Sequence, residues 1–372
     1  MRNFIKQTKN LRHWVCGMAV TILLLFCNYA ISQERKGVKI TVSKSATVDL
    51  KSMEAWQKAN PEKLNEHRIG GFKEGETDGD EEGEAPKMKV PKNAKIMADP
   101  FGKMPQANVA KPVPGTQSSA DFSQITTFNG IDDINSTIPP DVGGQVGPNH
   151  VMTTLNSFVR IANRTGTTLS TVSLNAFFSS LGNPSTFDPK LMYDPYNSRW
   201  IITACGNAAS AASSILVGVS LTNDPTGTWK LYSIDADASN VNWFDYPSIG
   251  FNKNWVVVGG NMFSNASNSY AGGKLFVFNK SDLYASAVSP GVTVINAGAN
   301  GFTLVPAVTY DNSISTMYLT QNFNGNSGGN GFIGFYTITG AIGSEVLNPM
   351  KPLPPLLPLK FCVRYMVEIE LS

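Results

Sequence analysis

The chain has few of the side chains that enzymes commonly use for catalysis. It contains three histidines, and only His150 follows residue 67. No glutamate occurs between Glu84 and Glu345, although glycosidases commonly use glutamate as acid, base or nucleophile. Zinc sites need three or four suitable ligands, so a single histidine cannot build a histidine-rich one. These absences favour a binding protein over an enzyme.

Cysteine and excess basic charge are also scarce. Of four cysteines, only Cys205 and Cys362 follow residue 32, and two so far apart do not form a disulfide framework or a zinc site. The chain has 30 basic and 28 acidic residues; four of the basic ones precede residue 13, which leaves 26 against 28, a net charge of −2. A nucleic-acid partner needs a clustered basic surface, so none is expected.

The only long apolar run lies at the N-terminus. Four basic residues precede an apolar run from Trp14 to Cys27, and Ala30 and Ser32 then occupy the −3 and −1 positions of a cleavage site. The run is shorter than the roughly 20 residues that cross a bilayer. Residues 1–32 are therefore predicted to be a signal peptide, and the protein to be secreted or at the cell surface without spanning the membrane.

Composition divides the rest of the chain into three regions. Residues 33–120 lack hydrophobic periodicity and include an acidic run from Glu74 to Glu84, which predicts a disordered charged linker. Residues 121–348 alternate short β-rich runs with turn residues, which predicts an all-β region. Residues 349–372 form an atypical proline-rich tail. It is either a polyproline docking segment or the end of a truncated or out-of-frame chain.

A repeat in the all-β region specifies its architecture. Pro189, Pro247 and Pro306 open similar units and are spaced by 58 and 59 residues, and a degenerate copy begins at Pro140. Each unit holds about four short strands, which in the clearest unit are predicted at residues 190–193, 199–204, 214–221 and 228–235. Such units predict a β-propeller of four-stranded blades, with about four recognisable repeats. The number of repeats does not decide whether the ring of blades is complete or incomplete. A two-sheet sandwich is the alternative.

Two segments resemble known propellers. Asp188–Asp194 and Ser220–Trp229 resemble blades of secreted bacterial β-propeller proteins of uncharacterised type. The second segment is also similar to the Asp-box turn of sialidase propellers, although its spacing from Asp224 to Gly227 is one residue longer. The resemblance implies a propeller fold and an extracellular setting. It also implies that Asp224 is a structural turn residue, and not a catalyst.

Three aspartates are the candidate ligand-binding and metal-binding residues. Asp141, Asp188 and Asp245 each stand at the start of a unit's first strand, beside a proline. Because the first strand of a blade lines the propeller axis, these carboxylates are predicted to converge at one channel mouth. There they would bind Ca²⁺ or accept hydrogen bonds from sugar hydroxyls. The alternative is that each aspartate caps its own turn.

Trp243 and His150 complete the candidate ligand-binding set. Trp243 is predicted to lie in a turn beside Asp245 and to offer an exposed ring for sugar stacking, whereas Trp200 and Trp255 are predicted to be core residues. His150 is included as the one histidine of the β region, although a structural role fits it better.

The leading functional hypothesis is an extracellular or cell-surface binding module whose partner is a glycan or an extracellular protein. The first alternative is a carbohydrate-active hydrolase of the sialidase-like propeller type that uses the three aspartates. The second is a structural fragment of a larger surface protein.

Overall fold

The computed structural model describes residues 34–61, 127–132, 139–327 and 330–348. In this part the chain forms four antiparallel sheets of four or five strands. The predicted all-β propeller with about four blades is therefore confirmed. The predicted signal peptide, the acidic run of the linker and the proline-rich tail lie outside the described residues.

Blades one and two follow each other along the chain. Blade one consists of β4 (Gly143–Val146), β5 (His150–Thr154), β6 (Phe158–Asn163) and β7 (Thr168–Ser173). Blade two consists of β8 (Thr186–Asp194), β9 (Arg199–Gly206), β10 (Ser214–Ser220) and β11 (Thr228–Asp235). The four strands predicted for the clearest unit correspond to β8–β11, with small differences at their ends.

Blades three and four complete the set. Blade three consists of β12 (Asn242–Phe251), β13 (Trp255–Ser264), β14 (Tyr270–Asn279) and β15 (Val292–Gly298). Blade four consists of β16 (Val305–Pro306), β17 (Met317–Ser327), β18 (Asn330–Thr339) and β19 (Val346–Asn348). The first strands of successive blades, β4, β8, β12 and β16, contact one another in that order.

Adjacent blades bury apolar side chains between them. Successive side chains of a strand point to opposite faces, so a central strand contributes to two cores. In β9, Ile201 packs in the core between blades two and three, while Trp200 and Ile202 pack in the core between blades one and two. A third core, which contains Trp255, joins blades three and four. Trp200 and Trp255 are fully buried, as predicted.

Residues 34–60, here called the strap, run along the outside of the blades. The strap contains β1 (Arg35–Lys36), β2 (Val38–Ile40), β3 (Lys44–Asp49) and helix α1 (Leu50–Ala59). β1 pairs with β19 of blade four, β2 with β15 of blade three, and β3 with β11 of blade two. Helix α1 packs against β7 of blade one.

The prediction that residues 33–120 are a disordered linker is therefore wrong for residues 34–61. Isolated, this segment cannot bury enough apolar surface to fold, but outer strands gain their hydrogen bonds from the blades. Asp49 caps α1 by accepting a hydrogen bond from Ser52 N at 2.7 Å. Leu50 and Met53 of α1 are buried in the core between blades one and two.

Two short helices connect strands. Helix α2 (Leu174–Phe178) continues as a 3₁₀ turn (Ser179–Leu181) and is capped by Ser173, whose hydroxyl accepts from Ala176 N at 3.0 Å. Helix α3 (Lys280–Tyr284) follows β14 and is capped by Asn279.

Candidate functional site: a cluster of carboxyl groups

The three predicted aspartates come from the inner strands of three blades. Asp141 precedes β4, Asp188 lies in β8 and Asp245 lies in β12. Asp188 Oδ2 and Asp245 Oδ1 accept hydrogen bonds from the same Tyr246 N–H, and Asn156 bonds both to Asp141 Oδ2 and to the Asp188 N–H. The predicted convergence of the three carboxyl groups is therefore observed, and they are called the carboxyl cluster below.

Burial and mutual repulsion favour the protonated state in this cluster. Burial, and then the neighbouring carboxylate of Asp188, raise the pKa of Asp141 to about 7. Burial, and then the charge of Asp245, raise the pKa of Asp188 to about 7 as well. Lys190 opposes both shifts without cancelling them. Near neutral pH Asp141 and Asp188 are therefore partly protonated, so the cluster can both donate and accept hydrogen bonds.

Asn156, which the sequence analysis did not single out, holds two of the aspartates in place. Its Nδ2 donates to Asp141 Oδ2 and to Pro139 O, the latter at 2.9 Å. Its Oδ1 accepts a hydrogen bond from the backbone N–H of Asp188. Asn156 is buried (3% exposed), so these bonds lie away from water and connect blade one to blade two.

The three aspartates do not occupy equivalent strand positions, although their places in the sequence repeat predict that they do. Asp141 and Asp188 have positive φ angles of 45° and 52°, whereas the corresponding residue of blade three is Tyr246, with φ of 53°. The pairing of β8 with β9 shifts after Phe187, and that of β12 with β13 shifts after Asp245. Asp245 thus reaches the cluster from one residue earlier in its strand.

A cavity lies among the inner strands that carry the carboxyl cluster. The inner strands of all four blades line a cavity of about 290 Å³, to which Lys190 and Ser248 contribute. Tyr246 is 45% exposed, and the Lys190 Nζ lies 5.7 Å from the centre of its ring. The Tyr246 backbone N–H donates to Asp245 Oδ1 at 2.7 Å and to Asp188 Oδ2 at 3.3 Å. An exposed aromatic ring and a cation therefore accompany the carboxyl cluster.

The prediction that Trp243 is an exposed stacking residue is wrong. Trp243 lies in β12 and is 8% exposed. Its ring packs between Phe187 and Phe263, with centroid distances of 6.3 and 5.5 Å, and its Nε1 donates to Asn268 Oδ1. The strand begins earlier than the sequence indicated, because β12 continues through Pro247 by means of the register shift.

His150 is not part of the carboxyl cluster. It begins β5, whereas the residue opposite Gly143 at the Asp141 end of β4 is Thr154, at the far end of β5. The His150 Nε2 lies 3.6 Å from Asp224 Oδ1. The Asp224 carboxylate also accepts from Thr226 N and Oγ1 at 2.9 and 2.7 Å, which is the turn-capping role that the resemblance implied.

The geometry gives no support to the predicted calcium site. Within residues 34–61, 127–132, 139–327 and 330–348, no group of three or more His, Cys, Asp or Glu side chains is arranged to hold a metal ion. None of the helices in these ranges is long and apolar enough to cross a membrane.

No known protein family and no curated protein matches the sequence. Among solved structures, the chain is similar to a xylan β-1,4-xylosidase from Bacillus halodurans C-125, with 10% identity and a TM-score of 0.32 over 59% of this chain and 43% of that one. It is also similar to an exo-β-1,3-galactanase from Phanerochaete chrysosporium, with 13% identity and a TM-score of 0.31 over 56% and 49%.

A third similar structure is an endo-1,5-α-L-arabinanase from Thermotoga petrophila RKU-1, with 8% identity and a TM-score of 0.25 over 57% of this chain and 66% of that one. The chain spans less than half the length of the first two proteins. Similarity at this level carries no argument about function, which has to be drawn from the site.

Proposed function

We propose that the protein is an extracellular or cell-surface binding module that holds a glycan at the carboxyl cluster. One observation carries this proposal: carboxyl groups from three blades lie together near the starts of the inner strands, beside the exposed ring of Tyr246. Carbohydrate sites combine these two kinds of group, because sugar hydroxyls need paired donors and acceptors while the apolar face of a sugar packs on an aromatic ring.

The protonation state suits sugar hydroxyls. A protonated carboxyl group donates one hydrogen bond, and a carboxylate only accepts. With the pKa of both Asp141 and Asp188 near 7, the cluster offers both kinds of group at neutral pH. Lys190 adds further donors next to the Tyr246 ring.

The residue types favour binding over glycoside hydrolysis. Glycosidases commonly use glutamate as acid, base or nucleophile. The carboxyl cluster consists of aspartates alone, and no glutamate occurs between Glu84 and Glu345. The hydrolase remains the alternative, and detection of new reducing ends after incubation with oligosaccharides would favour it.

Calorimetric titration of the processed protein with a panel of soluble oligosaccharides tests the proposal. Replacing Asp188 by Asn and Tyr246 by Ala should each weaken binding at least about tenfold, because one removes the central hydrogen-bonding group and the other the stacking surface. Tyr318→Ala is the matched control, since Tyr318 is similarly exposed (47%) but lies in β17 of blade four.

If neither site variant lost binding, or if Tyr318→Ala lost as much binding as they do, this site would be rejected. A partner protein captured at the same surface would retain the site but change the ligand class. The proposed export is tested separately by N-terminal sequencing of the secreted protein, which should begin at Gln33.

A further inference from the structure

The outer rim of the propeller, formed by the last strands of the blades, binds the extended strands of the strap. In three blades the last strand would expose a row of unpaired backbone groups without the strap. Strap residues cover these edges in register: Arg35 opposite Leu347, Lys39 opposite Thr293, and Asp49 opposite Thr228. The strap visits the blades in the reverse of their order along the chain.

Blade one is covered by side chains of helix α1. The Gln57 side-chain amide accepts from the backbone N–H of Ser173 and donates to Thr171 O at 3.5 Å. Glu54 accepts from the Ser170 hydroxyl. The Gln57 amide therefore takes the place of a strand's peptide group at this edge.

Two features make the docking specific to this segment. Leu50 and Met53 are 3% and 1% exposed and fill the core between blades one and two. Gly37 lies so close to β15 that an added Cβ would be 2.1 Å from Thr293 Cγ2. The neighbouring Val38 is 67% exposed, so its side chain takes no part in the packing.

The strap is joined to the blades by a long stretch of chain. Its partner strands lie more than 150 residues further along the sequence. Residues 62–126 separate it from the rest of the described chain, and these 65 residues can span up to about 200 Å when extended. The connection therefore does not confine the strap to its own propeller.

We propose that the rim binds the strap of a second copy of this chain, so that two copies exchange straps. The strap makes the same contacts in the monomer and in the dimer with exchanged straps. The ratio of dimer to monomer therefore depends on the protein concentration. Covalent linkage gives the chain's own strap an effective concentration on the order of millimolar. Dilute protein is therefore monomeric, while protein folded at high concentration forms a swapped dimer.

A cleavable full-length protein tests this proposal. A specific protease site is inserted after Gly83, between strap and propeller, and the protein is cut after folding. The cut strap should co-elute with the propeller. A fluorescent peptide of residues 34–60 should then replace it, with one peptide bound per propeller by fluorescence polarisation.

Two peptide variants at adjacent positions form a matched pair. Gly37→Val should bind at least about tenfold more weakly, because its side chain collides with β15. Val38→Ala should bind like the original peptide, because that side chain faces solvent. In addition, dimers formed by refolding at high concentration should separate into monomers on cutting, since only the connections between strap and propeller hold them together.

Three outcomes would overturn the proposal. The peptide fails to enter after the cut strap has been removed; cutting unfolds the protein and the peptide does not restore it; or dimers persist after the connections are cut.

Discussion

Strand β8 carries an acidic residue near each end, and the two residues have different surroundings. Asp194 is fully buried and forms an ion pair with Lys280 Nζ at 2.6 Å. It also accepts hydrogen bonds from the Tyr284 hydroxyl at 2.8 Å and from the backbone N–H groups of Tyr196 and Asn197. Asp188, six residues earlier, meets two other carboxyl groups.

This difference indicates a structural role for Asp194 and a functional role for Asp188. The charge of Asp194 is met by a cation and by hydrogen-bond donors, so it fixes blade two against helix α3 of blade three. The charge of Asp188 is opposed by its neighbours, which costs stability. Groups kept in such a state are typical of binding and catalytic sites, because a ligand can relieve the conflict.

Removing the positive charge of Lys280 should have the largest effect on stability. In Lys280→Met the carboxylate of Asp194 stays buried without its counter-charge, so the free energy of unfolding should fall by about 3–5 kcal/mol. Denaturant unfolding measures this. Lys253→Met is the control, because Lys253 is exposed and makes one hydrogen bond to Ser313 O at 3.3 Å. Equal losses in both variants would show that the Asp194 pair does not differ from a surface contact.

Titration of the carboxyl cluster should have an intermediate effect on the free energy of unfolding. The pKa of Asp188 is about 7 in the folded protein, above its value of about 4 in the unfolded chain, so the fold binds more protons between these limits. The free energy of unfolding should therefore fall by about 3–4 kcal/mol as the pH rises from 4 to 8.

Asp188→Asn should flatten this pH dependence and make the protein more stable than wild type at pH 8. Unfolding curves over a series of pH values provide the measurement. The explanation would be wrong if the wild type gained stability across this range, or if the variant kept the full slope.

The smallest effect is expected at the surface pair of His150 and Asp224. Asp224 is half exposed, and the 3.6 Å contact is screened by water. His150→Gln should change the free energy of unfolding by less than about 1 kcal/mol. Thermal unfolding at pH 6 would detect a larger contribution, and a loss comparable with that of Lys280→Met would contradict this ranking.

The sequence predicted the blades because their signals are local. Alternating apolar residues and turn sequences marked β8–β11 to within a few residues, and the prolines marked the inner strands. The same prolines led to the choice of Asp141, Asp188 and Asp245. The proline pattern does not indicate the positive φ of Tyr246 or the extension of β12 through Pro247. For this reason the exposed aromatic residue was predicted at Trp243, three positions before Tyr246.

The strap and Asn156 could not be found in the same way. Strands β1–β3 are mostly exposed and polar, and their stability comes from partners far away in the sequence. A weak local signal was present in helix α1, where Leu50, Met53 and Trp56 recur at helical spacing after the capping residue Asp49. Nothing local distinguishes Asn156 from the other polar residues of the blade turns, because its role depends on Asp188 in the next blade.

The position of the strap also determines the order in which the protein can fold. β1 is synthesised first, but its partner β19 lies more than 300 residues later. Contacts of such high sequence separation form slowly, because a long loop has to close before they gain any stability. Until then the last strands of the blades have open edges, and nascent chains can aggregate through them. The slowest step of refolding should therefore be the docking of the strap, although the ribosome makes it before any blade.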